Sequence, residues 1–238
     1  GIRDVAVTGV QTCALPIYFL VKKLPYDPKK DFTPITAIGE PVTCLVVNPS
    51  VPAASMAEFL AYLRKNPGKV PYGSSGVGSA FHMMGELMQM DAKVSVIHVP
   101  YKGIALALQD LVGGQVEFAF SSVANALPLA QGGKARVLAV VAPRPIPQLP
   151  GVPPIGESIP GYERPGSWYG YLGPAGLPAA ITNRYASELV KLINEPATRA
   201  KLEASGLLVI ANTPAEFREM YRSEEHTSEL QSRLHLVC

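Results

Sequence analysis

The chain has 238 residues, 47% hydrophobic and 17% charged, which is enough apolar length for one large α/β domain or two smaller lobes and excludes disorder. Its 21 basic and 19 acidic residues are spread along the sequence and leave a formal charge of +2, so there is no basic stripe for a phosphate backbone and nucleic acid is not an expected partner. No run reaches the roughly 18 consecutive apolar residues that a membrane-spanning helix needs.

The two ends read differently from the rest. Arg222 to Ser232 can be back-translated into DNA whose complementary strand encodes Thr8 to Ile17. Opposite ends of a natural domain have no reason to encode each other, and the string resembles translated read-through of a sequencing-library adapter. The expectation is that residues 1–17 and 222–238 are artefactual tails outside the fold. On that reading Cys13, His226, His235 and Cys238 carry no function, and the remainder is a piece of something longer. Cys44, in an apolar strand, reads as an inert buried thiol, and the three cysteines lack metal-ligand spacing.

Ser55-Met56-Ala57-Glu58 is a capping box, followed at helical spacing by Phe59, Leu60 and Leu63 and stopped by Asn66-Pro67-Gly68. A short strand near Lys69 to Tyr72 leads into Gly73-Ser74-Ser75-Gly76-Val77-Gly78, and Ser79 caps a helix to about Met90. Val94 to Val99 reads as a buried strand, Pro100 to Gly103 as a turn, and Ile104 to Val112 as a helix ended by Gly113-Gly114. Val116 to Phe120 is the next strand, Ser121-Ser122 its cap, Val123 to Gln131 a helix, and Val137 to Val141 a β-branched strand. Strand, loop and helix in alternation with short connections predict parallel strands covered by helices. The proline-rich stretch from Pro143 to Pro160 has no period and is expected to run extended over the surface between two units. Tyr169 to Gly173 is a strand candidate, Ala179 to Ile193 a helix, and Thr213-Pro214-Ala215-Glu216 opens a last helix.

In such a sheet the strand-to-helix loops emerge at one edge, so residues 73–79, 100–103 and 121–122 should form one rim. Each helix start offers unpaired N–H groups and the positive end of its dipole to an anion. Gly76 and Gly78 allow close backbone approach, and Ser74, Ser75, Ser79, Ser121 and Ser122 add hydroxyl donors. A hydrogen bond to a charged group contributes about 1.5 to 3 kcal/mol. Four or five of them reach the roughly 8 kcal/mol of micromolar affinity after ordering costs. A carboxylate fits this rim. The loop is neither a P-loop, because no Gly-Lys-Ser/Thr follows, nor a nucleophile elbow, because Val77 stands where Gly-x-Ser-x-Gly needs a second glycine.

Other residues keep two readings. His82 can assist the anion site, cap its helix or face solvent. His98 on an apolar strand reads as a core residue. Lys102 can pair with a ligand carboxylate or hold a salt bridge. Met83, Met84, Met88 and Met90 read as a packing face, and Trp168 and Tyr169 either wall a cleft or pack inside. His82 and Glu86 without a second histidine make no metal motif.

Lys23-Leu24-Pro25-Tyr26-Asp27-Pro28, Val46-Val47-Asn48-Pro49-Ser50, Asn66-Pro67-Gly68-Lys69, Tyr72 to His82 and His98-Val99-Pro100-Tyr101-Lys102-Gly103 together resemble the tripartite tricarboxylate transporter receptors, the Bug or TctC-type solute-binding proteins. Leu111 to Val116, Asn125-Ala126-Leu127-Pro128, Trp168 and Gly173-Pro174-Ala175-Gly176 continue the match to about residue 221. The resemblance implies a type II periplasmic-binding-protein fold, with two lobes of parallel-dominated sheets flanked by helices. Lobe 1, incomplete, would take residues 18–45 and 143–221, and lobe 2 residues 46–142. It implies a monomeric periplasmic receptor that captures a small organic carboxylate, needs no cofactor, catalyses nothing and serves the membrane subunits of a tripartite transporter. Ser74, Ser75, Gly76, Val77, Gly78, Ser79, His82, Tyr101, Lys102, Ser121 and Ser122 would line the site. The family often carries Asp-Asn where Ser121-Ser122 stands, a departure that bears on the ligand, and an amino-acid ligand becomes less favoured. Its other ligand loop should precede Tyr18 and is expected to be missing, so weak binding or none is expected, with part of the lobe 1 core exposed. Two rivals stay open at this stage: an enzyme that stabilises an oxyanion at the same rim, and the effector lobe of a transcription regulator.

Overall fold

The computed structural model describes residues 9–11, 27, 30–162 and 168–223. The motif from Lys23 to Tyr26, most of both tails, and Cys13, His226, His235 and Cys238 lie outside the described residues. In chain order the elements are β1 (Gly9–Gln11), β2 (Phe32–Pro41), β3 (Thr43–Val47), α1 (Met56–Lys65), β4 (Pro71–Ser74), α2 (Ala80–Ala92), β5 (Ile97–Pro100), α3 (Ile104–Val112), β6 (Phe118–Ser122), α4 (Val123–Gln131), β7 (Arg136–Val141), a 3-10 turn (Ile155–Glu157), β8 (Tyr169–Pro174), α5 (Ala179–Asn194), α6 (Pro196–Ala204), β9 (Leu207–Val209) and α7 (Pro214–Ser223). Residues assigned to the tails therefore enter elements at both ends, Gly9–Gln11 as β1 and Arg222–Ser223 at the end of α7. No helix among the described residues is long and apolar enough to cross a membrane.

The helix starts form for the local reasons the sequence offers. Ser55 Oγ accepts the Glu58 N–H, while Glu58 reaches back to the Ala54 N–H at 2.7 Å. Ser79 Oγ accepts the His82 N–H at 3.2 Å and opens α2. That helix runs past the expected end near Met90 and stops at Lys93, whose φ of 52° is left-handed.

The described residues divide into two compact units, one of residues up to Pro41 and from Trp168 onward, the other from Val42 through Tyr162. In the second unit the sheet order is β5-β4-β6-β3-β7. β4 pairs in parallel with both β5 and β6. β3 pairs antiparallel with both β6 and β7, so β4, β5, β6 and β7 share one direction and β3 alone opposes them. A strand buried on both faces, as β3 is, has the same composition whichever way it runs, so its sense is set by where the chain enters the sheet. Alternate residues feed two cores. Leu45 and Val47 pack with Phe59, Leu60 and Leu63 of α1 and Met84 and Met88 of α2. Cys44 and Val46 pack with Leu108 and Leu111 of α3 and Val123 and Ala126 of α4. The methionine face is thus core for Met83, Met84 and Met88.

The proline-rich segment departs from expectation. Ile146 and Leu149 join the core under α3 and α4, and Ile155 and Ile159 join the other face. The Val140 N–H donates to Pro153 O at 2.9 Å. Residues 143–162 therefore belong with β3–β7, and the boundaries fall near 41 and 165 rather than 45 and 142. Buried side chains at irregular spacing carry no periodic signal, which is why the segment read as surface.

Among the described residues of the other unit the strands pair antiparallel, in the order β1-β8-β2-β9, so the parallel pairing lies in the second unit's sheet. Trp168 packs edge-on against Phe217 at 4.7 Å between ring centroids and sits with Ala37, Leu172 and Tyr221, so it is core.

Candidate functional site at the carboxyl edge of the second sheet

The register places the loop ends as a shared rim. Ser74 lies opposite Pro100, and Gly73 opposite Ala119 in the same direction, so the loops after β4, β5 and β6 leave the sheet side by side. β7 ends at the same edge, where Val141 and Ser122 flank Thr43. This adds a fourth loop, Ala142–Pro145, that sequence reading assigned elsewhere. Together with Pro154–Glu157 and Tyr162 it lines a cavity of about 490 Å³, with Arg144 and Glu157 among the lining residues. Thr43 Oγ1, in that row, is buried and has no hydrogen-bond partner among the described residues.

The loop from Ser74 to Ser79 is held by its own side chains. Ser74 Oγ accepts the Gly76 N–H at 3.1 Å and lies 2.6 Å from His98 Nε2. The Gly78 N–H donates to His82 Nδ1 at 3.1 Å. The Ser79 N–H donates to Gly76 O at 3.2 Å. Gly76 and Gly78 adopt φ of 116° and 77°, conformations that exclude most side chains. Three amides expected to face a ligand are therefore already used inside the loop. Val77 projects outward at 75% exposure, and Ser75 is half-buried with no side-chain hydrogen bond among the described residues.

Beneath the loop the His82 and His98 rings stack, with centroids 4.0 Å apart. Because Nδ1 of His82 accepts a hydrogen bond, its proton sits on Nε2, 3.7 Å from Glu86 Oε1. That carboxylate oxygen also accepts from the Tyr72 hydroxyl at 2.8 Å and from Gln89 Nε2 at 2.9 Å. Burial lowers the His82 pKa, partly offset by Glu86. Burial, and then the neighbouring His82, push His98 down to about 4. Both imidazoles are neutral at pH 7.

The remaining expected residues take varied places. Ser74 and Ser121 are fully buried, and Ser121 Oγ donates to Ser122 O at 3.3 Å, so neither hydroxyl is free for a ligand. Ser122 caps α4 without a side-chain bond. Tyr101 gives its N–H to Ser74 O at 3.1 Å and its hydroxyl to Asp110 at 2.7 Å. Burial and that carboxylate raise the phenol to about 12. Lys102 is exposed on the same turn and makes no ion pair among the described residues. His98 is the residue that sequence reading set aside as core. Its only sequence signal is the parallel pairing of Tyr72 with His98, which cannot be counted without knowing the register. Among the described residues no cluster of three His, Cys, Asp or Glu can hold a metal ion.

The family model "Tripartite tricarboxylate transporter family receptor" matches residues 5–228. The chain belongs to this receptor family. A UPF0065 protein from the tcbD-tcbE intergenic region of Pseudomonas sp. is 31% identical over 208 residues, 87% of this chain and 62% of the relative, so the chain spans about three-fifths of that relative's length. BugT of Bordetella pertussis is 26% identical over 86% of this chain and 63% of its own. Among solved structures, the R. palustris protein Rpa4515 with adipate is 30% identical at a TM-score of 0.84, covering 89% of this chain and 71% of that one. MatC from Rhodopseudomonas palustris with bound malate is 28% identical at 0.80, covering 91% and 74%. The fold is that of these structures and of the periplasmic binding protein BugD, 25% identical at a TM-score of 0.78 over 87% of this chain and 71% of that one.

Proposed function

We propose that this chain is the ligand-binding part of a monomeric periplasmic receptor that captures a small organic carboxylate, without altering it, for the membrane subunits of a tripartite tricarboxylate-type transporter. The observation that carries the reading is the β4–α2 loop. It stands at the start of a 13-residue helix with Lys102 on the adjacent turn, in a receptor family whose solved relatives include one with malate and one with adipate. Ser75, Val77 at the exposed tip of the loop, Lys102 and Ser122 are the groups proposed to meet the acid. Ser74, Ser79 and His82 hold the loop in shape. Ser121-Ser122 places no carboxylate at this rim, which favours an acid without an amino group.

One feature points to an enzyme instead, the 2.6 Å Ser74–His98 pair. Ser74 is fully buried and its Oγ already accepts the Gly76 N–H, so it is not presented to a substrate as a nucleophile needs to be.

The test is thermal unfolding of the chain with about 10 mM malate, adipate and a set of mono- and tricarboxylates, each acid being recovered and analysed afterwards. Ligand at 100 times its dissociation constant stabilises by about 2.7 kcal/mol. An upward shift with at least one acid, recovered unchanged, is expected. No shift with any acid, or conversion of one, overturns the reading.

A further inference from the structure

The loop that the proposed function assigns to the ligand is fastened at both ends to one object. At its start Ser74 Oγ meets His98 Nε2 at 2.6 Å, and near its end the Gly78 N–H meets His82 Nδ1 at 3.1 Å. The two imidazoles come from different elements, β5 and α2, and are joined face to face at 4.0 Å with an interplanar angle of 22°. Tyr72 of β4 lies tilted against His98 with ring centroids 5.0 Å apart and ties the assembly to Glu86 through its hydroxyl. The path from Ser74 to Gly78 through the rings closes a bracket under the loop.

We propose that the stacked His82–His98 pair is a positioning clamp for the β4–α2 loop, and that protonation of His82 opens it and releases the loop from its ligand-binding shape.

The two bonds respond differently to a proton. A serine hydroxyl both donates and accepts, so the Ser74–His98 bond persists in either charge state of His98. The Gly78–His82 bond does not, because a protonated Nδ1 is a donor facing a donor. Charging one ring also places a cation against its stacked neighbour, and charging both sets two like charges about 4 Å apart. Among the described residues the titratable groups that contact the rings are Glu86 on α2, beside His82, and Tyr72 on β4, beside His98, and the two are joined to each other. Tyr101 on the β5 turn is turned away to Asp110 of α3. Glu86 attracts the charged form of His82 and burial opposes it, burial being the larger influence. The clamp is therefore closed at neutral pH and opens on acidification.

The effect on ligand release rests on the receptor reading, but the clamp is read without a ligand. Exchange of the Gly78 amide proton is followed by NMR between about pH 4 and 8 in the whole chain, alongside the His82 and His98 ring resonances. Gly78 protection should fall about tenfold as the His82 ring titrates, as expected for a bond of roughly 1.4 kcal/mol. His82→Ala should remove that protection at every pH. His82→Asn, whose carboxamide oxygen accepts but does not titrate, should restore it and abolish the pH dependence. His98→Ala, which leaves Gly78 its acceptor but removes the stacked ring, should shift the break in the Gly78 profile upward. A wild-type profile with no break where His82 titrates, or a break that survives His82→Asn, refutes the clamp. A parallel series of malate and adipate shifts against pH tests the consequence. If neither acid binds at any pH the receptor reading fails, and the Gly78 profile still decides the clamp.

Discussion

Gly85 lies in the middle of α2, where replacing glycine by alanine ordinarily stabilises a helix by about 1 kcal/mol. Here the sign should reverse. A Cβ at Gly85 would stand 2.4 Å from two ring carbons of Tyr72 and 2.6 Å from its hydroxyl. Tyr72 is fully buried between His98 and Phe118, so its ring cannot swing aside as a flexible side-chain end would. Overpacking of this kind costs about 1 to 3 kcal/mol. Displacing the ring also lengthens the 2.8 Å hydroxyl bond to Glu86, and a bond to a charged group contributes about 1.5 to 3 kcal/mol. Set against the gain in helix propensity, Gly85→Ala should destabilise by roughly 2 to 4 kcal/mol, which for a unit of this size lowers the melting temperature by roughly 5 to 15 °C. Urea unfolding followed by circular dichroism gives the free energy, and Tyr72→Leu in the same background should recover part of it. A Gly85→Ala protein as stable as the parent or more so would show that Tyr72 does not occupy the space against α2.

Two further predictions concern buried groups. The His98 pKa is lowered from 6.5 to about 4, so the unfolded chain binds the proton more readily between those values. Stability from this group is whole above pH 6.5 and is lost as pH falls toward 4. Two and a half units correspond to roughly 3 kcal/mol, and the partial exposure of the ring reduces this to about 1 to 2 kcal/mol. Urea midpoints at pH 4.5 and 7 should differ by more in the parent than in His98→Gln, and equal differences would refute the assignment. Cys44 is fully buried and its thiol is pushed up to about 12 by burial. Iodoacetamide at pH 8 followed by peptide mapping should leave Cys44 unlabelled in the folded chain and labelled in urea. Labelling without denaturant would contradict its place between β3 and the α3–α4 core.

Features decided within a turn or two of chain were legible in the sequence. Ser55, Ser79 and Thr213 cap the helices they were expected to cap. α3 ends where Gly113-Gly114 implies, and α4 spans the residues expected of it. The alternation of strand, loop and helix was enough to bring the loops after β4, β5 and β6 to one edge, because consecutive crossovers of one hand leave strands of one direction with their carboxyl ends together. Family membership was legible too, since short motifs keep their order along the chain however it folds.

Other features depend on residues far apart in sequence, and only packing sets them. The reversed direction of β3, the assignment of residues 143–162 to the second unit, and the antiparallel sheet around Trp168 each follow from which apolar faces meet. His98 enters the site because β5 lies beside β4 and delivers its ring to Ser74, a neighbour 24 positions away. Hydroxyl orientation belongs here as well. Ser74 and Ser121 were expected to face a ligand, yet both are buried, because at the end of a strand one position of register decides whether a side chain meets solvent or the core. Composition and spacing thus determined the family, the helices and the shared rim. The tertiary structure decided which donors on that rim remain available, because a hydrogen bond already made within the chain is lost to a ligand.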